Sequence, residues 1–140
     1  MVPNQPEVDE PATIECLKGA KILLVEDNEF NQELAQMLLE MNGLIVETAE
    51  NGKEALELLN TQDFDGVLMD CQMPVMDGYE ATRQIREQEK YKDLPVIAMT
   101  ANTMKEDKEK AFVSGMNDYI AKPINPDVMF ATIAKWIKHY

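Results

Sequence analysis

Residues 66–80, GVLMDCQMPVMDGYE, begin as a buried strand and end as a helix. The apolar residues Val67, Leu68 and Met69 lead directly into the acid Asp70. A turn that contains proline and glycine follows before a helix can form. An acid at the end of a core strand requires an explanation, because charged side chains are rarely buried unless they are paired.

Short apolar runs and helical periods alternate along the chain. The predicted strands are KILLV (21–25), LIVETA (44–49), GVLM (66–69), PVIAM (95–99) and DYIA (118–121). Between and after them, apolar residues recur three and four positions apart, which predicts five amphipathic helices. The positions predicted to face the core are, helix by helix, Leu34, Met37, Leu38 and Met41; Ala55, Leu56, Leu58 and Leu59; Ala81, Ile85 and Tyr91; Met104, Lys108, Ala111 and Phe112; and Val128, Phe130, Ile133, Ala134 and Ile137. Near-continuous apolar strands that alternate with helices predict a parallel sheet covered on both faces.

The first residues differ from this pattern. Residues 1–18 contain three prolines, four acids and few apolar side chains, which predicts a disordered acidic linker or tail. The remaining residues, 19–140, are the size of one domain. The acidic leader and the lack of an output domain favour a domain excised from a longer chain.

Charge and apolar content exclude several classes of partner. The net charge is −13, and the first 70 residues hold 16 acids and 3 lysines, whereas residues 71–140 hold 10 charges of each sign. No basic stripe exists that could neutralise phosphates, which argues against direct nucleic-acid binding. No apolar run approaches the roughly 18–20 residues of a membrane span, so we expect a cytoplasmic location without direct membrane contact. Cys16 and Cys71 lack metal-ligand spacing and are expected to be reduced.

Polar side chains end four of the five predicted strands. Glu26 and Asp27 follow the first strand, Asp70 ends the third, Thr100 the fourth and Lys122 the fifth. Taken singly, these residues have ordinary explanations, such as helix capping or solvent exposure. The carboxyl ends of parallel strands share one edge of a sheet, however, and ligands bind at that edge. We therefore expect all five side chains to converge.

Their convergence predicts a specific chemistry. Three carboxylates in close proximity repel one another unless a cation relieves them, which implies a divalent ion. Oxygen ligands without nearby His or Cys favour Mg²⁺ over zinc. A lysine and a hydroxyl beside the metal are typical of phosphoryl transfer, with Asp70 as the nucleophile that becomes an aspartyl phosphate.

These motifs also resemble a known family. LLVEDNEFNQ (23–32), VLMDCQMPVMDGYEATRQIR (67–86), PVIAMTA (95–101) and MNDYIAKP (116–123) resemble the receiver domains of two-component response regulators, above all those attached to hybrid sensor histidine kinases. The resemblance covers residues of about 20 to 138. It implies a flavodoxin-like fold of five βα units, a doubly wound parallel sheet with the strand order 2-1-3-4-5.

The resemblance also implies roles for individual residues. It assigns Mg²⁺ to Asp27 as the more direct ligand, with Glu26, Asp70 and the backbone carbonyl of Gln72. Thr100 and Lys122 contact the phosphoryl oxygens. We separately expect the Lys122 ammonium to pair with Asp70 in the resting state. Tyr119 is the switch aromatic, and phosphorylation alters the surface of the fourth helix, fifth strand and fifth helix.

The sequence thus favours a phosphoacceptor domain in a two-component phosphorelay. It would take a phosphoryl group from the phosphohistidine of a histidine kinase or a histidine phosphotransfer protein. It would not be an enzyme beyond its own phosphorylation and dephosphorylation, and it could be part of a hybrid histidine kinase. The alternative is a Mg-dependent aspartyl-phosphate phosphatase of the haloacid-dehalogenase kind, but such enzymes place a second Asp where this chain has Gln72. A flavin or dinucleotide binder is disfavoured because no G-x-G-x-x-G follows the first strand.

Overall fold

A computed structural model of the chain describes residues 18–71, 77–101, 105–122 and 124–137. The predicted acidic tail lies outside these residues except for Lys18, and so do Cys16, Gln72 and Met104. The division into a tail over 1–18 and a domain over 19–140 therefore stays a prediction.

Strands and helices alternate through the described residues. They are β1 (Lys21–Val25), α1 (Glu29–Met41), β2 (Ile45–Ala49), α2 (Gly52–Thr61), β3 (Gly66–Asp70), α3 (Gly78–Arg86), a 3₁₀ turn (Glu89–Tyr91), β4 (Val96–Thr100), α4 (Lys105–Ser114), β5 (Asp118–Ala121) and α5 (Pro126–Trp136). The five strands form one parallel sheet in the order β2-β1-β3-β4-β5, which confirms the predicted fold. No helix in the described part of the chain is long and apolar enough to cross a membrane.

Alternate residues of the central strands face two separate cores. On one face of the sheet, Leu24 and Leu68 pack with α1 and α5. On the other face, Val25 and Met69 pack with α2, α3 and α4. Burial on both faces explains why these strands are apolar throughout.

Strand boundaries differ slightly from the prediction. β3 extends to include Asp70, and β4 begins at Val96 rather than at Pro95. Proline has no N–H to donate to a ladder, although the Pro95 carbonyl accepts a hydrogen bond from Val67 N at 2.9 Å. Asp70 and Thr100 are consequently the last residues of their strands, held by the sheet itself.

The predicted buried face of α1 is wrong at three of its four positions, since only Leu38 packs against the core. Met37 and Met41 are 52% and 75% exposed, and Leu34 is also exposed. Ala35 and Leu39 face the sheet instead. The helix carries two overlapping apolar stripes, and the one with the small alanine packs against the sheet. The other stripe is left at the surface.

The predictions for α4 and α5 are wrong at one position each. Phe112 on α4 is 48% exposed and Val128 on α5 is 49% exposed. Among the described residues of α4, Ala111 and Ser114 are the buried ones, so this helix has few apolar contacts with the core. On α5 the core positions are Met129, Phe130 and Ile133, and Ile137 follows the helix.

Candidate functional site

The register of the sheet sets the strand ends side by side. Asp70 is paired with Met99, and Thr100 with Ala121. The backbone N–H of Lys122 donates to the Thr100 carbonyl at 2.9 Å. The sheet thereby places Thr100 at the end of the strand next to Asp70, and Lys122 just after the end of the strand beyond it.

Three carboxylates converge at this edge. One oxygen from each of Glu26, Asp27 and Asp70 lies within 4.8 Å of the other two. Glu26 and Asp70 are 2% and 3% exposed, whereas Asp27 is open to solvent. The predicted cluster of acids is therefore present, with two of its charges deep in the protein and one at the entrance.

Lys122 contacts two of these acids. Its Nζ lies 3.0 Å from Glu26 Oε1 and 3.3 Å from Asp70 Oδ2. Burial by itself lowers the pKa of Lys122, but the contacts with Glu26 and Asp70 outweigh burial and raise it above its ordinary value. Lys122 is therefore a cation at neutral pH. The pairing with Asp70 was expected from the sequence, but the shorter contact with Glu26 was not.

Glu26 is anchored at several of its atoms. Its Oε2 accepts a hydrogen bond from Asn28 N at 3.1 Å, and its backbone N–H donates to the Ala49 carbonyl at 3.0 Å. Gln32, in the first turn of α1, donates from Nε2 to the Glu26 carbonyl at 3.0 Å. Sequence reasoning overlooked Gln32, because nothing in the local pattern shows that its side chain reaches the Glu26 carbonyl.

The site has the donor set of a Mg²⁺ centre. All three side chains offer oxygen, the preferred ligand of this ion. Glu26 Oε1 is buried and, apart from its ion pair with Lys122, has no hydrogen-bond partner in the part of the chain that the structure describes. It retains lone pairs for a cation. These residues therefore fit the ion, whereas the predicted carbonyl ligand at Gln72 lies outside the described residues.

Cys71 follows Asp70 and is a free cysteine, as predicted, and its side chain is buried. Burial raises the pKa of its thiol to about 11; a hydrogen bond with Tyr79 opposes this shift, and the Asp70 charge adds to it. The thiol is protonated at neutral pH, and a thiol is a poor nucleophile without its thiolate. Cys71 is thus a packing residue beside Asp70.

Thr100 and Tyr119 lie on neighbouring strands. Thr100 is buried at the end of β4, and Tyr119 on β5 is half-buried against the core of the α2, α3 and α4 face. The Lys108 ammonium of α4 lies 4.9 Å from the centre of the Tyr119 ring. The predicted role of Tyr119 as the switch aromatic stays a prediction.

Gly78 lies against the backbone of Asp70 and Cys71. A Cβ at Gly78 would lie 2.3 Å from the Asp70 carbonyl oxygen and 2.9 Å from Cys71 Cα, both of them backbone atoms that cannot rotate away. We expect Gly78→Ala to lower the free energy of unfolding by about 3 kcal/mol, the upper part of the range for overpacking, and to displace the end of β3. Urea denaturation measures the loss.

Thr82→Ser is a matched control in the same helix. It keeps the hydroxyl that donates to the Gly78 carbonyl at 2.7 Å and should cost about 1 kcal/mol or less. A Gly78→Ala protein with stability within about 0.5 kcal/mol of wild type would show that the backbone at Asp70 has room to relax.

Comparison with known proteins decides the family. The family model described as "Response regulator receiver domain" matches residues 22–134. The chain belongs to this family. Its receiver fold carries the acid cluster at the carboxyl edge of the sheet, where the sequence predicted it.

Curated relatives of this receiver domain are much longer histidine kinases. The chain is 42% identical over 127 residues to hybrid signal transduction histidine kinase I of Dictyostelium discoideum, which covers 86% of this chain and 7% of that protein. It is 39% identical over 130 residues to the sensor histidine kinase GacS of Pseudomonas protegens, with 91% of this chain and 14% of GacS covered. The chain thus spans about a seventh or less of the length of these relatives.

Solved structures share the receiver fold. The receiver domain of a sensor histidine kinase from Pseudomonas aeruginosa matches with a TM-score of 0.79 and 42% identity, over 84% of this chain and 97% of that one. That structure has a magnesium ion coordinated in its active-site cleft. A second match is the co-crystal structure of the Saccharomyces cerevisiae histidine phosphotransfer protein Ypd1 with the receiver domain of Ssk1. The TM-score is 0.80 and the identity 33%, over 86% of this chain and 90% of that one.

Proposed function

We propose that this receiver domain accepts a phosphoryl group from a partner phosphohistidine onto Asp70, in a Mg²⁺-dependent reaction. The observation that carries the proposal is the position of Asp70, which ends a core strand within reach of two further carboxylates and 3.3 Å from the Lys122 ammonium. Membership of the receiver family favours this reading over a phosphatase. The domain has, on this proposal, no other catalytic activity.

The transfer exchanges one bond to phosphorus for another. An Asp70 carboxylate oxygen attacks phosphorus in line while the phosphorus–nitrogen bond to the partner imidazole breaks. The electron pair of the broken bond stays on the imidazole nitrogen, which takes a proton from solvent. Lys122 then stabilises a phosphoryl oxygen as a compact cation, and the Thr100 hydroxyl donates to another.

Mg²⁺ would be held by Asp27 most directly, with Glu26 and Asp70, and with the carbonyl of Gln72. When bound, the ion supplies positive charge that offsets the charge of the transferred group. Two observations support this set of ligands. The buried Glu26 Oε1 offers a ligand oxygen in a fixed position, and the exposed Asp27 leaves the site open for an ion to enter from solvent. Magnesium in the cleft of the Pseudomonas aeruginosa receiver domain also supports it.

Phosphorylation would change the surface formed by α4, β5 and α5. The new phosphoryl oxygens attract the Thr100 hydroxyl, and the space that it leaves admits the Tyr119 ring. The ring would then leave its contact with the Lys108 ammonium on α4. α4 has few apolar contacts with the core, which makes it the element most easily repositioned.

The phosphodonor would be a histidine kinase or a histidine phosphotransfer protein, as the complex of Ypd1 with the Ssk1 receiver domain suggests. A groove beside Lys122 supports a docking site next to Asp70. Its apolar lining includes Phe30 and Leu34 of α1 and Ile124. We propose that a helix of the donor covers this apolar surface when its phosphohistidine reaches Asp70.

Leu34→Glu should therefore slow phosphotransfer from a protein donor by about tenfold, because the donor would bury an unpaired charge. Phosphorylation by acetyl phosphate, which needs no docking, should stay unchanged. The comparison uses the rate of transfer from phosphorylated Ypd1 and from acetyl phosphate, each with Mg²⁺ present.

Val113→Glu is the matched control. Val113 is 87% exposed and lies on α4, which packs on the other face of the sheet. This variant should accept phosphate from both donors at the wild-type rate. If Leu34→Glu slows both donors equally, its effect is on the site and the docking proposal is wrong.

The reaction itself is tested by incubating the protein with Mg²⁺ and acetyl phosphate and weighing it intact. One phosphoryl group per chain, lost on brief treatment with base, is expected. A mass that stays unchanged at saturating Mg²⁺ would contradict the proposal.

A further inference from the structure

We propose that Gln32 is a positioning residue for the metal site, because its side-chain amide fixes the peptide bond that joins Glu26 to Asp27. The inference rests on the proposed Mg²⁺ site. It is read out by metal affinity, however, and not by phosphoryl transfer.

The Gln32 amide bridges two strand ends. Its Nε2 donates to the Glu26 carbonyl at 3.0 Å and lies 3.4 Å from the Ala49 carbonyl, within hydrogen-bond reach. The Ala49 carbonyl also accepts from Glu26 N at 3.0 Å. One half-buried side chain of α1 thus ties the ends of β1 and β2 to each other at the point where the acids begin.

The Glu26 carbonyl needs such a donor. β1 ends at Val25, so the strand ladder no longer sets the orientation of the peptide that follows Glu26. This peptide is a rigid plane that contains the Cα atoms of both Glu26 and Asp27. A hydrogen bond to its oxygen therefore fixes the directions in which both carboxylates leave the backbone.

A rotated peptide would disturb the site on both sides. Glu26 Oε1 would move from Lys122 and Glu26 Oε2 from Asn28 N, contacts of 3.0 and 3.1 Å. Asp27 is exposed, and no hydrogen bond or ion pair of its side chain appears among the described residues, so its backbone is what places its carboxylate. Metal sites depend on such supporting contacts, whose loss commonly weakens affinity by 10- to 100-fold.

The experiment compares the Mg²⁺ affinity of Gln32→Met with that of wild type. Methionine keeps the length of the side chain and removes both N–H donors. We expect the dissociation constant to rise about tenfold, measured by titrating Mg²⁺ and following the amide NMR shifts of Asp27 and Asp70.

Gln36→Met is the matched control. Gln36 lies one turn further along α1, and within the described residues its side chain donates to the exposed Glu40 carboxylate alone, at 3.3 Å. The same chemical change there should leave Mg²⁺ affinity unaltered. Melting temperatures in chelating buffer separate a general loss of stability from a change in the site.

The outcomes are distinct. Equal affinities of wild type and Gln32→Met would overturn the role of Gln32 while leaving the proposed function intact. If Gln32→Met does not fold, Gln32→Asn retains an amide that is too short to reach both carbonyls, and wild-type affinity in that variant would equally overturn the role. A wild type that binds no Mg²⁺ would overturn the proposed function and this role with it.

Discussion

Asp70→Asn will abolish phosphorylation by acetyl phosphate or by a phosphohistidine donor, and it will leave the fold intact. The amide is nearly isosteric with the carboxylate but is not an anionic nucleophile. In chelating buffer the same change should raise the melting temperature by about 2–4 °C, roughly 1 kcal/mol, because it removes one of three mutually repelling charges. The measurements are intact mass and thermal unfolding, with and without Mg²⁺.

Asp63→Asn provides the control for loss of one negative charge. Asp63 is exposed and precedes β3, so it lies at the opposite edge of the sheet from Asp70. It should change neither phosphorylation nor stability by a measurable amount. An Asp70→Asn protein that still gains a phosphoryl group would move the acceptor to another residue. A melting temperature that does not rise under chelation would contradict repulsion within the cluster.

Lys122→Met should uncouple phosphorylation from the change at the α4, β5 and α5 surface. The variant keeps the aliphatic stem and loses the charge that contacts Glu26 and Asp70 in the resting protein. Lys122→Arg should behave similarly, because a planar guanidinium cannot occupy the site of a compact ammonium. Both variants should still bind Mg²⁺ through Glu26, Asp27 and Asp70. The measurement is hydrogen exchange around Tyr119, compared between proteins phosphorylated to the same extent.

Lys92→Met controls for the loss of a lysine. Lys92 is an exposed residue paired with Glu89 at 3.1 Å, and its removal should leave the exchange response at wild-type strength. If Lys122→Met responds as fully as wild type, the lysine does not transmit the presence of the phosphoryl group. Its contacts with the two acids would then serve stability alone.

The architecture could be predicted from the sequence because parallel strands buried on both faces are apolar throughout and their ends meet at one edge. Those two facts predict that Glu26, Asp27, Asp70, Thr100 and Lys122 lie together, and the structure brings them to the same edge. Periodicity was less informative for α1. Its apolar residues fit two adjacent stripes, and the choice depends on which stripe lets the helix approach the sheet closely.

Contacts between distant side chains could not be predicted. The sequence indicates that Lys122 lies among acids, but the preference for Glu26 over Asp70 depends on about 0.3 Å of geometry. Gln32 follows Glu26 by six positions and is chemically ordinary, and only the fold shows that its amide reaches two carbonyls. Such supporting contacts follow from the angle at which α1 leaves β1, which no local pattern encodes.

Identification of the phosphorylated residue is the decisive measurement. The protein is incubated with Mg²⁺ and acetyl phosphate and then reduced with borohydride, which converts an aspartyl phosphate to homoserine, and its peptides are sequenced by mass spectrometry. We predict homoserine at position 70 and aspartate at positions 27 and 77. Homoserine at any other position, or a phosphoryl group retained on a histidine or serine, would contradict the assignment of Asp70 as the phosphoacceptor.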